Sequence, residues 1–285
     1  MRIVRTKSRL REALRPARRD GRSIGLVPTM GSLHDGHLAL VRAALGRCDV
    51  VVISLFVNPA QFGPGEDLDA YPRDERRDAE VAERAGVDVL YAPAVEDVYS
   101  DGFSTSVEVA GDLTGVLEGA PDQRGPAHFR GVATLVAKLL NSVAPDVAFF
   151  GQKDAQQAIV VRRMVHDLDF PVRIEVLPTV REPDGLAMSS RNAYLGAEER
   201  RRAASLSRAL RAAQEAVDGG ETRVEAALAA AGAELERAGV KPEYLEARDA
   251  ESLAPANSFN GRPILVAVAA RFGEARLIDN LVIGG

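Results

Sequence analysis

Leu26-Val27-Pro28-Thr29-Met30-Gly31-Ser32-Leu33-His34-Asp35-Gly36-His37, continuing into Leu38-Ala39-Leu40-Val41, reads as an apolar strand, a glycine-bearing turn and the start of a helix. A helix start of this kind favours an anion. Its first amides have no intrahelical acceptor, and the positive end of the helix dipole falls at the same place. His34 and His37 stand three positions apart on one helical face, so both imidazoles reach toward one bound group. Gly36 between them keeps the surface low.

Outward from this stretch, apolar runs recur at Ile24 to Pro28, Val50 to Phe56, Val87 to Tyr91, Val147 to Phe150 and Val172 to Leu177. Near-continuous apolar character marks strands buried on both faces of a parallel sheet. Amphipathic stretches at His37 to Leu45, Asp74 to Ala85, Val132 to Val143 and Ala155 to Leu168 fit between them, and right-handed crossovers place such helices on both faces. The expected fold is α/β, a Rossmann-like doubly wound parallel sheet. From Pro93 to Arg130 the regularity breaks into short polar and glycine-rich pieces, which read either as a lid over the site or as a surface insertion. After the Pro178 to Arg191 loop the composition turns to Ala, Glu and Arg, with helical periodicity over Ala197 to Asp218 and Arg223 to Ala238. Strand patterns follow at Tyr244 to Arg248, Ile264 to Arg271 and Ala275 to Val282, the last two forming a hairpin about Phe272-Gly273-Glu274. We expect a first domain over residues 1–178 and a smaller α+β domain over 179–285.

The composition, 46% hydrophobic and 27% charged over 285 residues, is that of a globular enzyme and excludes long disorder. A net charge of −5 offers no general field for nucleic acid, and no apolar run is long enough to span a bilayer, so neither is an expected partner. Cys48 is the single cysteine, which rules out an internal disulfide framework and suits the cytoplasm. A zinc site on His34 and His37 lacks a third ligand at recognisable spacing. For magnesium the sequence names no ligand, and Asp67, Asp69 and Asp78 read as solvated surface carboxylates.

Three further stretches carry chemistry. Asn58-Pro59-Ala60-Gln61 ends an apolar strand, and the Gln61 amide suits a hydroxyl or carboxylate without requiring a titration. Phe149-Phe150-Gly151-Gln152-Lys153-Asp154 repeats the strand–glycine–helix pattern. Lys153 there stands as a cation for charge on a leaving group, Asp154 as a ribose partner or helix cap, and Gln157 lies three residues on. Met188-Ser189-Ser190-Arg191, in a loop, supplies two hydroxyls and a guanidinium, donors suited to phosphate oxygens.

In order along the chain, Pro28-Thr29-Met30-Gly31 with His34-Asp35-Gly36-His37, Phe56-Val57-Asn58-Pro59 with Gln61-Phe62, Tyr71-Pro72-Arg73, His128-Phe129 with Gly131-Val132, Gly151 with Lys153-Asp154 and Gln157, and Asp184-Gly185 through Asn192 closely resemble the pantothenate synthetases. These are nucleotidylyltransferase relatives with His-x-Gly-His and Lys-Met-Ser-Lys-Ser motifs, the second here being Met-Ser-Ser-Arg. The resemblance implies an ATP-dependent ligase that joins pantoate to β-alanine through a pantoyl adenylate, releasing AMP and pyrophosphate with the aid of Mg²⁺, in a homodimer. It implies that Met30, Gly31, Ser32, Leu33, His34, Asp35, Gly36 and His37 border ATP, with Gly151, Gln152, Lys153, Asp154, Val180, Met188, Ser189, Ser190 and Arg191 completing the nucleotide site. His37, His34, Lys153 and Arg191 would be catalytic, and Gln61 and Gln157 would bind substrate. The family commonly has Glu where this chain has Gln152. Two alternatives remain at this point: an adenylyltransferase of the same scaffold acting on a phosphorylated acceptor, and a non-catalytic nucleotide-binding regulator.

Overall fold

The five apolar runs form strands and a sixth precedes them: β1 (Arg2–Val4), β2 (Ile24–Thr29), β3 (Val50–Leu55), β4 (Val89–Tyr91), β5 (Val147–Gly151) and β6 (Arg173–Leu177). In the computed structural model, which describes residues 1–284, they form a parallel sheet in the order β1-β4-β3-β2-β5-β6. The connections are α1 (Lys7–Arg19), α2 (Asp35–Leu45), α3 (Glu75–Arg84), α4 (Val95–Val98), α5 (Gly125–Val143) and α6 (Ala155–Asp167). Successive strand side chains point to opposite faces. Leu26, Val52, Tyr91 and Phe150 therefore join Leu10, Leu14, Leu140 and Val161 of α1, α5 and α6 in one core. Val27, Ile53, Leu90 and Phe149 join Val41 of α2 and Ala82 of α3 in another. Helices on both faces make the sheet doubly wound, as expected.

Three differences from the sequence reading have local causes. β1 and α1 were not expected; β1 is short and its Ile3 is exposed, and α1 carries Pro16 inside an Arg-rich helix whose buried stripe is only Leu10, Leu14 and Ala17. The helix expected from Val132 begins at Gly125, because Pro126 in its first turn starts a helix where its missing N–H has no cost. The irregular stretch before it is anchored. Val107 N–H donates to Thr134 Oγ1 on α5 (2.9 Å), and the Gln156 side chain on α6 bonds Leu113 O, Val116 O and Glu118 N.

The chain forms two compact units, Met1–Gly151 with Gln156–Pro178, and Gln152–Ala155 with the residues from Thr179 on. In the second, the single helix expected over Ala197 to Asp218 is α7 (Ala197–Ala203) followed by α8 (Ser205–Asp218), then α9 (Val224–Arg237). β7 (Tyr244–Asp249), β8 (Ile264–Phe272) and β9 (Ala275–Ile283) form an antiparallel sheet in that order. Leu206, Leu210, Ala231 and Leu235 pack on Val266, Val268 and Ala270, so the unit has its own core. Among the described residues no helix is long and apolar enough to cross a membrane.

Candidate active site

β2 is the strand at which the chain reverses its direction of growth, with β3 and β4 on one side and β5 and β6 on the other. β2 and β3 pair as far as Thr29↔Leu55, whereas β2 and β5 pair only at Gly25↔Val147 and Leu26↔Ala148. Beyond Leu26 these two strands part, which opens the carboxyl-end crevice where open α/β sheets bind ligands. Met30 to His37 leave β2 at that crevice.

The turn is held in an uncommon backbone shape. Gly31 (φ +93°) and Ser32 (φ +51°) are both left-handed, and a Cβ on Gly31 would lie 2.8 Å from Leu55 Cδ1. Asp78 on α3, 1% exposed, accepts from the amides of Ser32 and Leu33 at 2.8 Å each, with Arg77 Nη1 at 3.6 Å. The expectation of a solvated Asp78 is therefore corrected. Sequence spacing hides its role because α3 meets the turn only in the fold. The Ser32 and Leu33 amides of the turn, just ahead of the helix, are thereby committed inside the protein.

At the start of α2 the two imidazoles replace the usual Ser and Glu of a capping box. His34, the N-cap, accepts from Gly36 N–H at Nδ1 (3.2 Å), and His37 Nδ1 accepts from His34 N–H (3.4 Å). The ring centroids lie 4.0 Å apart, with the rings tilted by 32°. A neutral ring that accepts at Nδ1 carries its proton on Nε2, which makes Nε2–H the donor of each histidine.

Gln61 closes a 3₁₀ turn, Pro59–Gln61, and is 7% exposed. Its Oε1 accepts from Asn58 Nδ2 (3.0 Å), and its Nε2 donates to Met30 Sδ (3.1 Å), which ties it to the histidine turn. Asn58 Oδ1 accepts from Tyr99 OH (2.7 Å) and Ala60 N–H (3.2 Å). Burial, partly offset by that Asn58 bond, pushes the Tyr99 phenol up to about 12. His128 on α5 is buried and held near 4, first by desolvation and then by the Arg124 guanidinium. The sequence reading treated Asn58 as strand-end punctuation and assigned Arg124 nothing. Gln157 is half-buried in the first turn of α6.

In the second unit Gln152–Asp154 form a 3₁₀ turn in which Lys153 Nζ pairs with Asp154 (3.2 Å). Gln152 Nε2 donates to Asn280 Oδ1 (3.0 Å), and Asn280 Nδ2 returns bonds to the carbonyls of Gln152 and Lys153 (3.0 and 2.8 Å). This amide pair uses a donor that a Glu at position 152 lacks. The Met188–Arg191 loop is tied at both ends. Met188 N–H donates to Val180 O (2.9 Å), Ser189 Oγ accepts from Arg191 N–H (3.3 Å), and Asn192 Nδ2 donates to Glu182 Oε1 and Ala187 O (2.8 and 3.0 Å). Glu182 also pairs with Arg200, which reaches Asp184 Oδ2 at 3.0 Å. Arg181 forms a bidentate pair with Asp279, 2% exposed. Structure thus places the predicted residues in two groups: Met30–His37, Gln61, Gly151 and Gln157 in the first unit, and Gln152–Asp154, Val180 and Met188–Arg191 in the second.

Comparison with known proteins gives these groups a family. Residues 2–282 match the family model described as pantoate-beta-alanine ligase. A pantothenate synthetase from Moorella thermoacetica is 51% identical over 99% of both chains. The crystal structure of pantothenate synthetase from Thermus thermophilus superposes with a TM-score of 0.94 at 49% identity over the whole of both chains. A pantoate-beta-alanine ligase from Francisella tularensis, complexed with beta-gamma ATP and beta-alanine, has a TM-score of 0.81 at 32% identity, covering 99% of this chain and 97% of that one. A match across the full length, with both residue groups present, leaves one conclusion: the chain is an enzyme of the pantoate–β-alanine ligase family, the pantothenate synthetases.

Proposed function

We propose that the chain makes pantothenate in two steps, with the residue roles that follow. In the first, the pantoate carboxylate attacks the α-phosphorus of ATP, forming pantoyl adenylate and releasing pyrophosphate. His34, His37, Lys153 and Arg191 donate to phosphate oxygens as charge moves toward the leaving group, His37 also as proton donor. Met30 to Gly36, Gly151, Gln152, Asp154, Val180, Met188, Ser189 and Ser190 border the nucleotide. In the second step the β-alanine amine attacks the activated carbonyl, the amide forms, and AMP leaves with the bonding electron pair. Gln61 and Gln157 hold pantoate, with Gln61 also facing β-alanine.

The observation that carries this reading is the bond from the buried Gln61 amide to Met30, which sets an acid-binding group against the turn bearing both histidines. A phosphorylated acceptor calls for cations at that position, and an amide is suited to a carboxylate or hydroxyl. Among the described residues no group of three or more His, Cys, Asp or Glu is placed to hold a metal. In this reading Mg²⁺ enters as part of the substrate, MgATP, held by the phosphates. The family resemblance supports a homodimer and the single cysteine a reducing cytoplasm; sedimentation velocity tests the first.

The test is to incubate the chain with MgATP and pantoate, with and without β-alanine. Pyrophosphate from pantoate alone, with AMP and pantothenate only after β-alanine is added, is the expected result. ATP binding without pantoate-dependent pyrophosphate would overturn the assignment of Gln61 and Gln157.

A further inference from the structure

Gln61 is gripped by its backbone as well as by its side chain. Its carbonyl accepts from His128 Nδ1 at 2.7 Å and from Arg124 Nη2 at 3.3 Å. Arg124 Nη1 lies 3.2 Å from His128 Nε2. A guanidinium only donates, so Nε2 is the acceptor, and the single proton of the neutral ring sits on Nδ1, aimed at the Gln61 carbonyl. The depressed basicity of His128 keeps that ring neutral at ordinary pH. Behind Arg124, the Glu66 carboxylate accepts from Nε at 3.1 Å and Nη2 at 2.6 Å, which holds the fork in one orientation. From the α5 side, a Cβ on Gly131 would stand 2.1 Å from Ala60 O, so the turn already rests against that helix.

The side-chain end of Gln61 is different. Its Nε2 donates to the Met30 thioether, and sulfur is a weak acceptor. An oxygen of a bound acid replaces it with gain, provided the amide is already in position. Order on the backbone side and an exchangeable partner on the side-chain side together describe a preorganised binding group.

We infer that Glu66, Arg124 and His128 are positioning residues that set the affinity for the acid substrate by fixing Gln61, without touching that substrate. The inference rests on the assignment of Gln61 to pantoate. The bonds of Glu66, Arg124 and His128 run to one another and to the Gln61 carbonyl, not to the residues assigned to the nucleotide, so their effects separate from those of the nucleotide contacts.

The experiment compares Gln61→Ala, Arg124→Gln, His128→Phe and Glu66→Gln for melting temperature and for the KM of pantoate and of ATP. Losing one such charged or buried bond is expected to raise the pantoate KM about tenfold or more in Arg124→Gln and His128→Phe. The ATP KM should stay within about twofold of its starting value. Glu66→Gln, at the half-buried outer end of the relay, keeps its shape and serves if either inner variant fails to fold. Its pantoate KM should move in the same direction by a few-fold, again without the ATP KM. Should Gln61→Ala raise the pantoate KM while the folded relay variants leave it within about twofold, the relay is overturned and the Gln61 assignment stands. Parallel changes in both KM values, in any of the three, also overturn it. No change in Gln61→Ala overturns the assignment itself.

Discussion

The turn from Gly31 to His37 and the loop from Met188 to Arg191 are both short segments proposed to meet phosphate oxygens, yet they are shaped by opposite means. The first is held from far away in the chain, by a buried carboxylate at position 78 and by the parting of two strands more than a hundred residues apart. The second is held by its neighbours, through Glu182, Asn192 and Arg200 within one stretch of the second unit. A segment clamped over long range fails when the fold fails, and one clamped locally fails alone.

The largest expected effect tests the first segment's chemistry. His37→Ala should lower turnover by about two to four orders of magnitude, read as pantoate-dependent pyrophosphate release, with a change below tenfold removing His37 from that role. Next comes the clamp. Asp78→Ala removes the acceptor of the buried Leu33 amide and of the half-buried Ser32 amide, and urea unfolding should show a loss of about 2–4 kcal/mol together with lost turnover.

His128 supplies a pH signature for the same unit. Its folded basicity, near 4, lies below the ordinary 6.5, so the unfolded chain binds the extra proton first as pH falls. Stability is complete above about 6.5 and declines by about 3 kcal/mol as pH drops to 4. A His128→Phe chain should lack that segment of the stability–pH curve. The smallest effect sharpens the contrast. Asn192→Ala should cost only about 1–2 kcal/mol while raising the ATP KM, because it loosens a local tie and leaves both cores intact. If Asn192→Ala unfolds the chain as Asp78→Ala does, the distinction between the two segments is wrong.

The same contrast explains what was legible in the sequence. Buried parallel strands announce themselves by unbroken apolar runs, so β2 to β5 and the hairpin of β8 and β9 were readable; β6 was readable from Ile174, Val176 and Leu177 despite its Arg173 and Glu175, and α2 was readable although it starts at Asp35, two residues before the expected His37. β1 was not, because a three-residue edge strand with an exposed Ile3 has no periodicity to detect. α1 hid its stripe among arginines, although Leu10, Leu14 and Ala17 carried the spacing. Gly125-Pro126 was a readable helix start obscured by the glycines around it. For the site, residue types such as His, Gln, Lys and Arg pointed to chemistry. Asp78, Arg124 and Glu182 look like any surface charge until the fold supplies the amides and fork partners they meet.

That the N-cap of α2 is itself a histidine has a consequence for laboratory evolution. Imidazole is a poorer cap than the hydroxyl of Ser or the carboxylate of Asp. A library selected only for heat resistance should therefore drift to His34→Ser or His34→Asp, and its survivors should be sturdier proteins with the proposed phosphate donor discarded. On the proposed role of His34, position 34 is where the chain has kept turnover and forgone durability.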